Sequence, residues 1–76
     1  MGWQERIVVD PAVLVGKPVI RGTRISVEFL LGILAEGWTS EQILKNYPQL
    51  SADDVQAALR YAAEALKHER VFPLAV

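Results

Sequence analysis

The chain has no cysteine, one methionine and one histidine among its 76 residues. Without cysteine, neither disulfides nor thiolate metal sites can hold it together. Charge of neither sign dominates. Eight Lys and Arg against nine Asp and Glu leave a formal charge of −1, so no global basicity announces nucleic acid. Long apolar runs are also missing: the longest, Phe29 to Ala35, falls well short of the ~20 residues that span a bilayer. Met1-Gly2-Trp3-Gln4-Glu5-Arg6 lacks the basic region and apolar core of a signal peptide. Arg6 stands where N-myristoylation wants Ser or Thr. These absences lead us to expect no membrane contact and a cytoplasmic protein.

What is present is apolar surface. Hydrophobic residues make up 51% of the sequence, yet a chain this short buries only about 60–65% of its unfolded surface. With disulfides excluded, association with another chain is the expected supplement. A homodimer is therefore expected.

Punctuation divides residues 1–76, read as one domain, into three parts. The first, 6–27, holds a β segment and a basic ribbon. Arg6-Ile7-Val8-Val9 is a short β-branched run stopped by Asp10-Pro11. Val19-Ile20 and Ile25-Val27 flank Arg21-Gly22-Thr23-Arg24, which reads as a hairpin. The second part, 27–69, is helical. Ser26 reads as an N-cap, Glu28 suits the first turn, and Gly37 suits a C′ position, giving a helix over 27–36. Thr39 to Gln42 is a capping box opening a short helix over 40–46, which buries Ile43 and Leu44 and stops before Pro48. Ser51 and Asp54 cap a third helix over 52–69, with Val55, Leu59, Ala62 and Leu66 expected on one buried stripe. The third part, 70–76, is an apolar tail broken by Pro73. The fold class is thus mainly α: a three-helix, helix-turn-helix-like (homeodomain-like) core behind a short N-terminal β segment or hairpin.

Residues with catalytic chemistry have simpler uses. Ser26, Ser40 and Ser51 all sit at expected helix starts, where capping accounts for them. His68 lies in the last expected turn of the third helix, where a partly positive ring meets the negative dipole end. Glu64 and His68, four apart, are too few for a metal site. Gly16-Lys17 is no phosphate loop, because Pro11 and Pro18 replace the required Gly and Ser or Thr. Adjacent Asp53 and Asp54 diverge on a helix and cannot act as a carboxylate pair. No enzyme, cofactor or metal is expected.

Two binding features remain. A short second helix, a tight Tyr47-Pro48-Gln49-Leu50 connection and a longer third helix have the arrangement of many DNA-binding domains. Asp53 and Asp54 would meet phosphates unfavourably there, leaving only Gln56 and Arg60 to donate to base edges. No acid lies between Pro11 and Val27, where Lys17, Arg21 and Arg24 concentrate positive charge. With Thr23 beside them, these residues rank above the third helix as an anion-contacting ribbon. The competing reading is a solvated hairpin whose arginines pair with nearby acids. The tail residues Val71, Phe72, Leu74 and Val76 are the candidate partner or dimer contact, against the alternative that they fold onto the domain's own core. Trp3 and Trp38 serve equally well in an interface or in the core.

The string Gly16-Lys17-Pro18-Val19-Ile20-Arg21-Gly22-Thr23-Arg24-Ile25-Ser26-Val27, followed by Ser40-Glu41-Gln42-Ile43-Leu44, Tyr47-Pro48-Gln49-Leu50-Ser51 and Asp54-Val55-Gln56-Ala57-Ala58-Leu59, resembles the domain-of-unknown-function family four hundred and thirty-three. The likeness covers about residues 6–66. It implies a small helix-turn-helix-like fold and an antitoxin role beside a nuclease-like toxin of the PIN-domain kind, with operator DNA as a second partner. It supplies no catalytic residues. Val15 stands where the family pattern commonly has a second glycine before Gly16-Lys17, which implies a less flexible loop here. The leading expectation is an antitoxin-like adaptor that binds both toxin and DNA. The alternative is a protein-interaction module without a DNA role.

Overall fold

The computed structural model describes residues 2–67. A 3-10 turn, Trp3–Arg6, leads into strand β1, Ile7–Val9. A second 3-10 turn, Leu14–Gly16, precedes strand β2, Pro18–Ile20. Three helices follow: α1 over Val27–Ala35, α2 over Ser40–Asn46 and α3 over Ala52–Lys67. The domain is mainly α, three helices behind a two-stranded antiparallel segment. Among the described residues no helix is long and apolar enough to cross a membrane.

The strands pair differently from the expected ribbon. β1 lies antiparallel to β2, with Ile7 opposite Ile20, Val8 opposite Val19 and Val9 opposite Pro18. The Arg21 amide extends this pairing by donating to the Arg6 carbonyl at 2.8 Å. Around residues 21–24 there is only a turn, closed by a single Val19–Ser26 bridge and by the Ile20 amide on the Ile25 carbonyl at 2.9 Å. The cause is local. Ser26 must serve as the cap of α1, so the chain turns helical before a second strand arm can form.

Each helix start has a cap written in nearby residues. Ser26 Oγ accepts from the Phe29 amide at 2.9 Å. Thr39 and Gln42 make a reciprocal box: the hydroxyl accepts from the Gln42 amide at 3.1 Å, and Gln42 Oε1 accepts from the Thr39 amide at 2.8 Å. Capping of α2 therefore falls to Thr39 rather than Ser40, which is the first residue of the helix proper. Ser51 and Asp54 form a second box, with the Ser51 amide on Asp54 Oδ2 at 2.9 Å and the Asp54 amide on Ser51 Oγ at 3.3 Å. Each cap is worth about 1 kcal/mol. α1 ends one residue before the expected limit. Gly37, at φ 101°, and Trp38 donate to the Leu34 and Ile33 carbonyls at 3.0 and 3.1 Å, satisfying the last orphan acceptors.

Ile20, Leu30, Ile43 and Val55 are the largest fully buried side chains, each contributing about 1.5–3 kcal/mol of hydrophobic stabilisation. α3 is rotated from its expected orientation. Val55 and Ala62 face inward or partly so, but Leu59 is 41% and Leu66 57% exposed, while Asp54, Ala57 and Ala58 are buried. The two principal neighbours of α3 are the Trp3–Arg6 turn and α1. Small Ala57 and Ala58 allow both to approach the backbone closely, and that double contact outweighs the simple leucine stripe. α3 is continuous through Lys67; residues 68 and 69 of the expected helix lie outside the described residues.

Candidate functional site

The basic segment begins in a loop with unusual backbone. Asp10 turns the chain by accepting from the Ala12 amide through Oδ1 and from the Val13 amide through its carbonyl, both at 2.9 Å. Leu14, Val15 and Gly16 then all take left-handed conformations, with φ of 49°, 57° and 81°. Gly16 adopts this freely, whereas for an L side chain the left-handed region costs about 1–2 kcal/mol. Val15 is β-branched, which crowds it further, and it is 95% exposed. The loop keeps a glycine-like conformation where the expected family glycine is replaced. Amides of Gly16 and Lys17 hold it, donating to Val13 and Leu14 carbonyls at 3.1 and 3.2 Å.

The four ribbon residues have different environments. Lys17 Nζ contacts Glu28 Oε1 at 2.7 Å. That hydrogen bond and the attraction of the ammonium lower the Glu28 carboxyl below its ordinary 4.5, against a small opposing desolvation. Arg21 Nε donates to the Glu5 carbonyl. Thr23 braces its own turn: its hydroxyl donates to the Ile20 carbonyl at 2.8 Å and accepts from the Ile25 amide at 3.0 Å. Gly22, at φ 80°, supplies the left-handed position of that turn. Arg24 is exposed and forms no ion pair among the described residues.

Lys17 and Arg24 come together at a groove of about 580 Å³, whose apolar lining includes Leu14, Val15, Ile25 and Phe29. No acid among the described residues lines it. Phe29 is 41% exposed and meets Tyr47 edge to face, with centroids 5.6 Å apart and planes at 82°. Arg21, Gly22 and Thr23 line a separate hollow of about 500 Å³ beside Val8 and Asp10, with Arg24 common to both.

The outer face of α3 is a different environment. Gln56 and Arg60 line a shallow hollow with Trp3, Asp53 and Ala57. At the start of the helix, Arg6 reaches Asp54 Oδ1 at 3.0 Å, Asp53 Oδ2 at 3.3 Å and Ser51 Oγ at 3.4 Å. Arg6 thus ties the N-terminal turn to α3. Reading along the chain missed this residue, which lies 48 positions from Asp54. A capping acid in a buried position needs a cation, but only the fold selects which one. A third hollow, strongly apolar, runs between α1 and α3 past Val27, Leu31, Tyr61 and Leu66. The tail residues Val71, Phe72, Leu74 and Val76, and His68, lie outside the described residues.

Residues 7–62 match the family model described as a protein of unknown function, DUF433. The chain belongs to the DUF433 family. The match contains the Val15 loop, the cation-bearing groove and most of α3, but not the Trp3 turn. The chain is 36% identical over 59 residues to uncharacterised protein y4eO of Sinorhizobium fredii, covering 78% of this chain and 27% of that one. An uncharacterised protein of Archaeoglobus fulgidus is 71% identical over 24 residues, which is 32% of this chain and 67% of its own. The crystal structure of a DUF433 member from Anabaena variabilis superposes with a TM-score of 0.79 at 36% identity, over 84% of this chain and 63% of that one. The chain thus spans about a quarter of y4eO and under two thirds of the crystallised DUF433 protein.

Proposed function

We propose that this domain is an antitoxin-like adaptor: a non-enzymatic, cytoplasmic, dimeric module that binds a toxin of the PIN-domain kind and its own operator DNA. The observation that carries the DNA half is the exposed Arg21-Gly22-Thr23-Arg24 turn. Arg24 has no ion pair among the described residues, and Arg21 spends only Nε on a backbone carbonyl. Gly22 has open space around its α-carbon, so a phosphate can approach the turn closely. Asp10 borders the hollow of the turn as Asp53 borders that of Gln56 and Arg60. Arg24, however, also opens onto the groove that no acid of the described residues lines, whereas Asp53 and Asp54 both stand at the start of α3 and oppose a phosphate. The turn rather than α3 is therefore the assigned DNA contact.

Operator-DNA binding measured by fluorescence anisotropy across a salt series tests this. The double variant Arg21→Ala/Arg24→Ala should flatten the slope of log K against log salt by about 2, two phosphate contacts being lost. Gln56→Ala/Arg60→Ala should change it by less than half as much. No binding of any DNA at low salt removes the DNA half. A second reading, a protein-interaction module alone, is favoured by the apolar grooves and the net charge of −1. Retention of the adjacent gene's product through purification, with no DNA binding, selects it.

A further inference from the structure

We propose that the groove floored by Leu14, Val15, Ile25 and Phe29 docks a protein segment in which a large apolar side chain is flanked by carboxylates. The proposal rests on the protein-partner half of the function above and shares Arg24 with the DNA half.

Val15 is the starting point. Its left-handed φ of 57° and its 95% exposure are both unfavourable. Glycine would take the same backbone without strain, and no packing within the described domain recovers the exposed surface. Strain held at an exposed apolar residue points to a contact made outside the described residues. Phe29 presents a second exposed apolar surface to the same groove, and its edge-to-face contact with Tyr47 holds the ring in place. A volume of about 580 Å³ accommodates one or two large side chains rather than an extended surface.

Charge selects the flanks of the guest. Lys17 and Arg24 line the groove and no acid among the described residues does. Glu28 offsets Lys17, which leaves Arg24 as the principal partner for an incoming carboxylate, and its planar fork suits that group. A single-stranded nucleic acid fits less well. Base stacking needs open aromatic faces, and this lining is mainly aliphatic, with its two rings, Phe29 and Tyr47, engaged edge to face with each other.

The test is an amide-resolved NMR titration of the full chain with three probes: the blocked peptide Asp-Leu-Phe-Glu, its charge-reversed counterpart Lys-Leu-Phe-Lys, and a deoxythymidine decamer. The acidic peptide should move amides of residues 14–17 and 24–29. The reversed peptide should bind about tenfold more weakly, since it sets like charges together. Val15→Gly should raise Tm by about 2–4 °C, yet weaken the acidic peptide about fivefold, the cost of one lost aliphatic contact. Val15→Ala, which keeps the strain but shortens the side chain, should weaken the peptide without raising Tm. Four outcomes overturn the proposal: no movement of groove amides at millimolar peptide, equal binding of both peptides, tighter binding of the decamer at the groove, or unchanged peptide affinity in Val15→Gly. Because Arg24 serves both readings, operator DNA is titrated into a second, peptide-free sample, and loss of either binding leaves the other reading standing.

Discussion

The two ends of this domain treat polar and apolar groups in opposite ways. At the start of α3, Arg6, Ser51, Asp53 and Asp54 satisfy one another in a compact network that closes the Trp3–Arg6 turn onto the helix. At the Leu14–Gly16 loop, the Val15 side chain stands exposed on a strained backbone beside two cations. The first region holds the fold together. The second gives up stability for a surface, and such surfaces are where binding is expected. Satisfied charge marks architecture here; an exposed apolar residue and a cation with no ion pair among the described residues mark the proposed site.

The contrast can be broken or sharpened by substitution. The largest effect belongs to the core that both ends share. Leu30→Ala, at a fully buried position, should cost about 3 kcal/mol, read from urea unfolding. A loss below ~1 kcal/mol would mean that the helices do not enclose it. Next comes the polar end. Asp54→Ala removes both a capping acid and the partner of Arg6, and should cost about 2 kcal/mol. Asp53→Ala, at an exposed position, should stay within about 0.5 kcal/mol. Equal costs for the two would refute the assignment of Asp54 as the structural member.

At the strained end the sign reverses. Val15→Gly should stabilise by about 0.5 kcal/mol, because relief of left-handed strain exceeds the added entropy of the unfolded glycine. A destabilised variant would show that Val15 supports the fold. The smallest effect is at Glu28. Its folded pKa is lowered, so its pairing with Lys17 favours folding above the ordinary value of 4.5 and fades as pH falls through the lower folded value. Glu28→Gln should therefore be slightly less stable than the parent at neutral pH and indistinguishable in strong acid. Thermal unfolding at pH 7 and pH 3 checks this, and a difference that persists at pH 3 would assign the effect to something other than the ion pair.

Local signals were fully legible. Ser26, Thr39 with Gln42, Ser51 with Asp54, and Gly37 were read from the sequence, and each makes the hydrogen bond its position implies. The basic character of residues 17–24 was equally plain. The partner of β1 was not, because a short β-branched run pairs with any complementary edge and nothing in Ile7-Val8-Val9 names Pro18-Val19-Ile20. The groove escaped notice for a related reason. Phe29 sits on a helix that sends Val27, Leu30 and Ile33 into the core, and only the rotation of α1 turns that ring outward.

The sequence by itself determined where the helices begin, since caps form between residues three apart. The tertiary structure alone decided which face of α3 is buried, which cation joins Asp54, and which apolar residues remain outside. Burial and ion pairing depend on what neighbouring elements bring to a position. Here those neighbours, the Trp3–Arg6 turn above all, come from the far end of the chain.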